Sequence, residues 1–484
     1  MYLMKKRYTY FLKNMGLLTI SNFASKILVL LLIPLYTSVL TTKEYGIYDL
    51  VVSTVNLIYP VLTANIVDAV MRFSMDKNYD NRKVAIIGIW HVFLSIVFFM
   101  FFSLLAGKFQ IFQYLSGLWW YIGIYYACYV LNQFFIQFAK GLEKVADMGV
   151  AGVLSTIIMA GTNILFLLVF KLGLEGFFAA NILAQAISIL YFFFRTKFWC
   201  YFGNIKIDYK LRKEMLVYCI PLIITILGWW VNNTLDKYIV ACICGVAANG
   251  ILSVSYKIPS IINTLHSIFV QAWQISAIKE YGGAGTASFY GEMFCTFNVV
   301  MSAACAWLII LSKPVATILY AKDFYEAWRY APFLLISSVL NCASGLLGPI
   351  LAAKKDSKSL AISAVYGILV NIILNILLVH KIGVQGATIA TVISSYIIYA
   401  IRRKTLAVEI KIEQYYVVVI TWIILCVQAF LEIYTSFWYA EAVLMLIMLW
   451  INKNRMMKII IMGKNIIKNK IFSVNNKKKY HGIK

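Results

Sequence analysis

Acidic residues are scarce in this chain of 484: 20 Asp and Glu stand against 44 Lys and Arg, and charged residues of both signs make up only 13%. A soluble domain with 62% hydrophobic residues would expose far too much apolar surface, so that class is excluded. Proline is also rare, with seven in all, which leaves long helices uninterrupted. There are four histidines and nine cysteines, yet no spacing suited to a metal. Cys242 and Cys244 stand at C-x-C with no histidine near them, so no metal centre is expected. A nucleotide-binding P-loop and a G-x-S-x-G elbow are missing as well, and with no catalytic constellation neither an enzyme nor a cofactor is expected.

What remains is a series of apolar runs, with a mean hydropathy of +0.80 over the whole chain. A span needs about 20 apolar residues to cross the hydrocarbon, and about fourteen such runs can be read. They fall near 14–40, 46–71, 84–107, 117–139, 147–170, 173–195, 215–243, 249–275, 290–312, 328–352, 358–380, 384–402, 414–432 and 437–452. The first is too long for a signal-peptide core and lacks a cleavage site, so it is expected to stay as a permanent helix. The formal net charge of +24 would suit nucleic acid, but its distribution argues for membrane topology instead. With the N-terminus inside, 34 of the basic residues fall on the cytoplasmic side, seven outside and three within spans. That asymmetry is the positive-inside pattern. It places both termini on the cytoplasmic side of the membrane and makes bilayer lipids, not nucleic acid, the surroundings.

The first six spans recur as the next six. Lys171-Leu-Gly-Leu-Glu-Gly176 returns as Lys381-Ile-Gly-Val-Gln-Gly386, 210 residues on, and Gly46-Ile47 returns as Gly250-Ile251, 204 residues on. The expected fold is therefore an all-α integral membrane protein with two six-helix repeats as N- and C-lobes around a central cavity, plus a C-terminal helix pair. The boundaries read 1–195 for the first lobe, 196–214 for a cytoplasmic linker serving as hinge, 215–404 for the second lobe, 405–452 for the extra pair and 453–484 for a basic tail. In the tail, the stretch before Asn475 mixes apolar and basic residues and has two readings, an interfacial helix or a frayed end that only reinforces topology, the latter being the reading for Asn475 to Lys484.

Polar residues inside spans cost at least about 2.5 kcal/mol when charged, so each needs a reason. In the eighth span Ser253, Lys257, Ser260, Thr264, Ser267 and Gln271 follow one another at steps of three and four, along one helix face. Asp49, Ser53, Asn56, Pro60 and Thr63 do the same in the second span, and the 204-residue offset maps Ser253 onto Asp49. Such a matched stripe reads as the lining of a shared water-accessible cavity, the alternative being hydrogen-bonded packing between helices. Asn22, Ser25 and Lys26 share a face of the first span, with Lys26 near mid-membrane. Asn232, Asn233 and Asp236 lie in the seventh span, where Asp236 has two readings: a pair with Lys257 or a ligand or ion site. Asp68 and Arg72, four residues apart, read as a solvated salt bridge at the end of the second span.

Asn22-Phe-Ala-Ser-Lys26, Pro34-Leu-Tyr-Thr37 and Thr42-Lys-Glu-Tyr-Gly-Ile-Tyr48 resemble the N-terminal region of polysaccharide repeat-unit flippases of the Wzx type. Leu235-Asp-Lys-Tyr-Ile239, Asn249 to Lys257 and Lys381 to Thr391 extend the resemblance over both repeats. The family belongs to the multidrug, oligosaccharidyl-lipid and polysaccharide exporter superfamily. The resemblance implies a cargo of oligosaccharide on undecaprenyl diphosphate, turned from the inner to the outer leaflet, with polysaccharide polymerase and glycosyltransferases as partners. On that reading Lys26 and Lys257 meet the pyrophosphate, while Asn22, Asn233, Ser260, Thr264 and Gln271 meet pyrophosphate or sugar. Asp236, Asp49, Asp68 and Arg72 are candidates for ion pairing or coupling, with H+ or Na+ as the coupling ion. A multidrug exporter of the same superfamily and a membrane polysaccharide polymerase are the rival readings.

Overall fold

A computed structural model describes residues 27–106, 117–201, 207–283, 285–435, 437–458 and 461. Among them there is no strand, and ten helices are long and apolar enough to cross a membrane by length and composition. The helices are α1 (Ile27–Val39), α2 (Thr42–Leu62), α3 (Ile66–Ser74), α4 (Asn81–Ala106), α5 (Trp119–Gly141), α6 (Val145–Ile164), α7 (Gly173–Thr196), α8 (Tyr209–Cys244) and α9 (Val246–Ser255). There follow α10 (Pro259–Glu280), α11 (Thr286–Ile310), α12 (Ser312–Leu319), α13 (Ala331–Ala353), α14 (Ser357–Ile382), α15 (Val384–Thr405), α16 (Tyr415–Tyr434) and α17 (Trp438–Ile451). Of the fourteen expected spans, those at α1 and α17 are shorter apolar helices, the eighth is divided between α9 and α10, and the fourth, α5, is a full-length helix that is not among the ten.

Sequence explains the breaks. Thr41 and Glu44 form a reciprocal capping box that starts α2. Pro60 near its end cannot donate a backbone hydrogen bond, and Ala64 and Asn65 turn left-handed before α3 begins. Pro259 occupies the first turn of α10, where a missing N–H costs nothing. The eighth-span stripe is therefore not one continuous helix face: Tyr256 to Ile258 form a turn through its middle. The repeat itself is visible in the backbone. Gly173 and Gly383, equivalent at the 210-residue offset, adopt φ of +55° and +61°, a region open to glycine.

One helix, α14, is inverted relative to those of a soluble protein. α14 buries Ser363, Gly367, Asn371 and Asn375 at four-residue steps and exposes Val365, Leu369, Ile373, Ile376 and Leu377. Apolar exposure with polar residues inside suits a lipid surround, where every buried polar group must find a protein partner.

The chain divides into two compact units. One comprises residues 1–254 and 317–325, the other 255–316 and 326–484. The packing boundary thus differs from the repeat boundary. In the first unit, Leu211, Met215 and Cys219 of α8 join the same buried cluster as Val130, Phe134 and Phe138 of α5. The segment read as a hinge is docked there too: Phe198 is 2% exposed and its ring lies 5.0 to 5.7 Å from those of Phe134, Phe135 and Phe138. In the second unit, the first helix of the C-terminal pair, α16, is fastened to α11. Trp422 Nε1 donates to Asn298 Oδ1 at 3.0 Å, and Gln428 Nε2 donates to the Ala306 carbonyl at 3.0 Å. The tail from 462 onward lies outside the described residues.

Candidate functional site

A polar cluster of the first unit forms where α2, α8 and α9 meet. Gly46 of α2 and Gly250 of α9 face each other so closely that a Cβ on Gly46 would run into the Val246 carbonyl, and one on Gly250 into that of Thr42. These are the two glycines related by the 204-residue offset. Asp49 and Ser253, related by the same offset, also touch: Ser253 Oγ donates to Asp49 Oδ2 at 2.7 Å. Equivalent residues meeting their own counterparts is what an isologous, twofold-like crossing produces. Asn249 Nδ2 adds a bond to the Gly46 carbonyl at 3.3 Å.

Lys237 of α8 completes the cluster, with its ammonium 3.0 Å from Asp49 Oδ1 and both side chains under one-fifth exposed. Sequence reasoning did not select Lys237. The usable signal was depth, since Asp49 lies seven residues into α2 and Lys237 seven before the end of α8, or about 10 Å at 1.5 Å per residue in both cases. Beside this pair Tyr238 and Thr54 share a hydrogen bond of 2.7 Å, and Trp230 Nε1 donates to the Ser53 carbonyl at 2.8 Å. Deeper along α2, Tyr129 donates to Asn56 Oδ1 at 2.5 Å. Neighbouring helices thus meet the stripe on α2 at the Asp49 and Asn56 side chains and at the Ser53 backbone carbonyl.

Other expected site residues are distributed as follows. Asp236 is 5% exposed and accepts the Lys237 N–H at 2.9 Å. Asn233 is exposed, its amide donating to the Trp229 carbonyl of its own helix at 2.7 Å. Lys257 is half-buried in the turn between α9 and α10, and its carbonyl takes the Ser260 hydroxyl at 2.6 Å. Thr264 is buried and donates to the Ser260 carbonyl at 2.7 Å. Asn22 and Lys26 lie outside the described residues, as does the side chain of Gln271.

The expected Asp68–Arg72 bridge is corrected. Asp68 accepts from Asn65 at 3.0 Å and from Gln137 of α5 at 2.9 Å, while Arg72 approaches Asp76 at 3.9 Å. Asp68 sits in the first turn of α3 and faces the helix bundle, whereas Arg72, one turn on, is exposed and meets the next acid along the chain. Among the described residues, no group of three His, Cys, Asp or Glu side chains is arranged to hold a metal ion.

The profile of the polysaccharide biosynthesis protein family matches residues 11–274. The chain belongs to that family. No curated protein matches it. Among solved structures, this family member is similar to the lipid II flippase MurJ in an inward closed conformation, with a TM-score of 0.64 and 16% identity over 93% of this chain and 99% of that one. A multidrug resistance MATE transporter of the MOP superfamily, facing inward, also gives a TM-score of 0.64, at 13% identity over 79% of this chain and 95% of that one. A MOP superfamily transporter from Pyrococcus furiosus gives 0.53, at 12% identity over 82% and 96%. The fold is therefore that of this transporter superfamily, and the protein is a multi-pass membrane member of the polysaccharide biosynthesis protein family.

Proposed function

We propose that the protein is a flippase that carries undecaprenyl-diphosphate-linked oligosaccharide repeat units from the inner to the outer leaflet of the bacterial cytoplasmic membrane by alternating access. The observation that carries this reading is the conjunction of a polysaccharide biosynthesis family match with a transporter fold that extends over 93% of the chain when aligned to a lipid II flippase. Polysaccharide assembly outside the membrane needs lipid-linked sugars there, and a transporter fold supplies the movement that brings them across.

Lys257 and Lys26 are the proposed diphosphate ligands, because an ammonium is the natural partner of a doubly charged oxyanion. Asn22, Asn233, Ser260, Thr264 and Gln271 are the proposed hydrogen-bonding set for diphosphate or sugar hydroxyls. Asp49 takes a holding role with Lys237, and an ion gradient of H+ or Na+ is the proposed drive. Both termini face the cytoplasm in this account, and polymerase and glycosyltransferases act after and before it. The test is complementation of a strain lacking the gene: Lys257→Ala, inserted at wild-type level, should fail to restore surface polysaccharide. Full export by a well-expressed variant would remove Lys257 from the site.

A further inference from the structure

Glu432, near the end of α16, and Glu441, in the first turn of α17, are 3% and 1% exposed. Glu432 is well provided for. Ser312 Oγ donates to its Oε1 at 2.7 Å, and Lys313 Nζ lies 3.5 Å from Oε2 and 3.1 Å from the Glu432 carbonyl oxygen. Lys313 also stands 4.6 Å over the Trp328 ring. Glu441 is the opposite case: both its oxygens are buried, and neither meets a hydrogen-bond donor among the described residues. Its carboxyl approaches that of Glu432, and Glu432 and Lys313 are the titratable groups that act on it.

Two ionised carboxyls facing one ammonium leave a net negative charge in an apolar site, and a buried charge without donors is costly. A single proton removes both problems. It neutralises the site and turns the Glu441–Glu432 approach into a hydrogen bond, with Glu441 donating and Glu432 accepting. We infer that the Glu432–Glu441 pair, steadied by Ser312 and Lys313, is a proton-binding site built into the C-terminal helix pair, apart from the residues proposed to hold cargo. Binding involves no covalent rearrangement beyond the O–H bond: the proton comes from water and returns to it. The pair supplies a place where proton uptake alters how α17 is held against α16, since release sets two carboxylates against each other.

Infrared spectroscopy of the purified full chain in lipid nanodiscs tests this directly. At neutral pH the wild type should show the C=O stretch of a protonated carboxyl in apolar surroundings, which exposed Asp and Glu do not give. Glu441→Gln is isosteric with the protonated acid and should fold normally while losing the band completely. Glu432→Gln should lose it too, because Glu441 then has an amide donor and Lys313 to itself. Absence of the band in the wild type, or its persistence in Glu441→Gln, would overturn the inference. So would its disappearance when sodium chloride is added at fixed pH, which would make the ligand a metal cation. No cargo is present in this experiment, so its failure leaves the flippase reading untouched.

Discussion

Replacing Gly46 with alanine should open the α2–α9 crossing. A Cβ at this position meets the Val246 carbonyl and, more loosely, the Gly250 nitrogen at 3.1 Å. Both are backbone atoms within helices, so neither can swing aside as a side chain would. Restoring an ordinary contact of about 3.5 Å requires the helices to part by on the order of 1 Å. That displacement takes the Ser253–Asp49 hydrogen bond from 2.7 Å beyond hydrogen-bonding range. Overpacking of this kind costs about 1–3 kcal/mol, and losing a hydrogen bond to a charged group costs about 1.5–3 kcal/mol. The sum is roughly 2.5–6 kcal/mol before any relaxation. Gly250→Ala should do the same from the other side, against the Thr42 carbonyl. Gly161 and Gly228 are the internal controls, since a Cβ on either meets nothing within 4 Å. Alanine there should be neutral or stabilising by up to about 1 kcal/mol, from helix propensity. Thermal unfolding of the detergent-purified variants, followed by a thiol-reactive dye, measures the ranking. If Gly46→Ala melts with Gly161→Ala at the wild-type midpoint, the close crossing does not exist.

Asp49→Asn should leave Lys237 without its carboxylate at 17% side-chain exposure and cost about 3 kcal/mol; the Asp49→Asn/Lys237→Gln double variant should recover about 1–3 kcal/mol of that. Strict additivity in the same melting assay would show that the two do not interact. At the start of α14, the Ser359 N–H and hydroxyl hold the Asp356 carboxyl below the usual carboxylate range. The carboxylate's contribution is therefore present above about pH 4, its value in the unfolded chain, and fades as pH falls through the lower folded value. Hydrogen exchange over the first turn of α14 should show that acid loss in the wild type and a flat profile in Asp356→Asn. In the export assay Lys257→Glu should be worse than Lys257→Ala, because it repels diphosphate; equal activity would assign Lys257 a purely structural role.

Hydropathy made the helices legible because the bilayer imposes one length and one polarity on every span. Repeat offsets were equally readable, and they proved to mark contacts, with Gly46 against Gly250 and Asp49 against Ser253. Pair identities were not readable in the same way. The i, i+4 spacing of Asp68 and Arg72 permits a bridge, but α3 begins only at Ile66, which turns Asp68 toward Gln137. Lys237 escaped notice because a stripe argument ranks faces of one helix and ignores which residues on two helices share a depth. The eighth-span stripe was broken by Pro259, a local rule that the periodicity of the polar residues outweighed. Packing units follow buried area rather than ancestry, which is why α8, the opening span of the second repeat, buries Met215 and Cys219 with the first unit.

The most direct test of the central claim is to extract lipid-linked saccharides from cells lacking this chain and determine their leaflet by accessibility to an external glycosidase. The account predicts complete repeat units accumulating on the inner leaflet, shielded from the enzyme until the membrane is opened. Repeat units that reach the outer leaflet and are cleaved at the wild-type rate would contradict it.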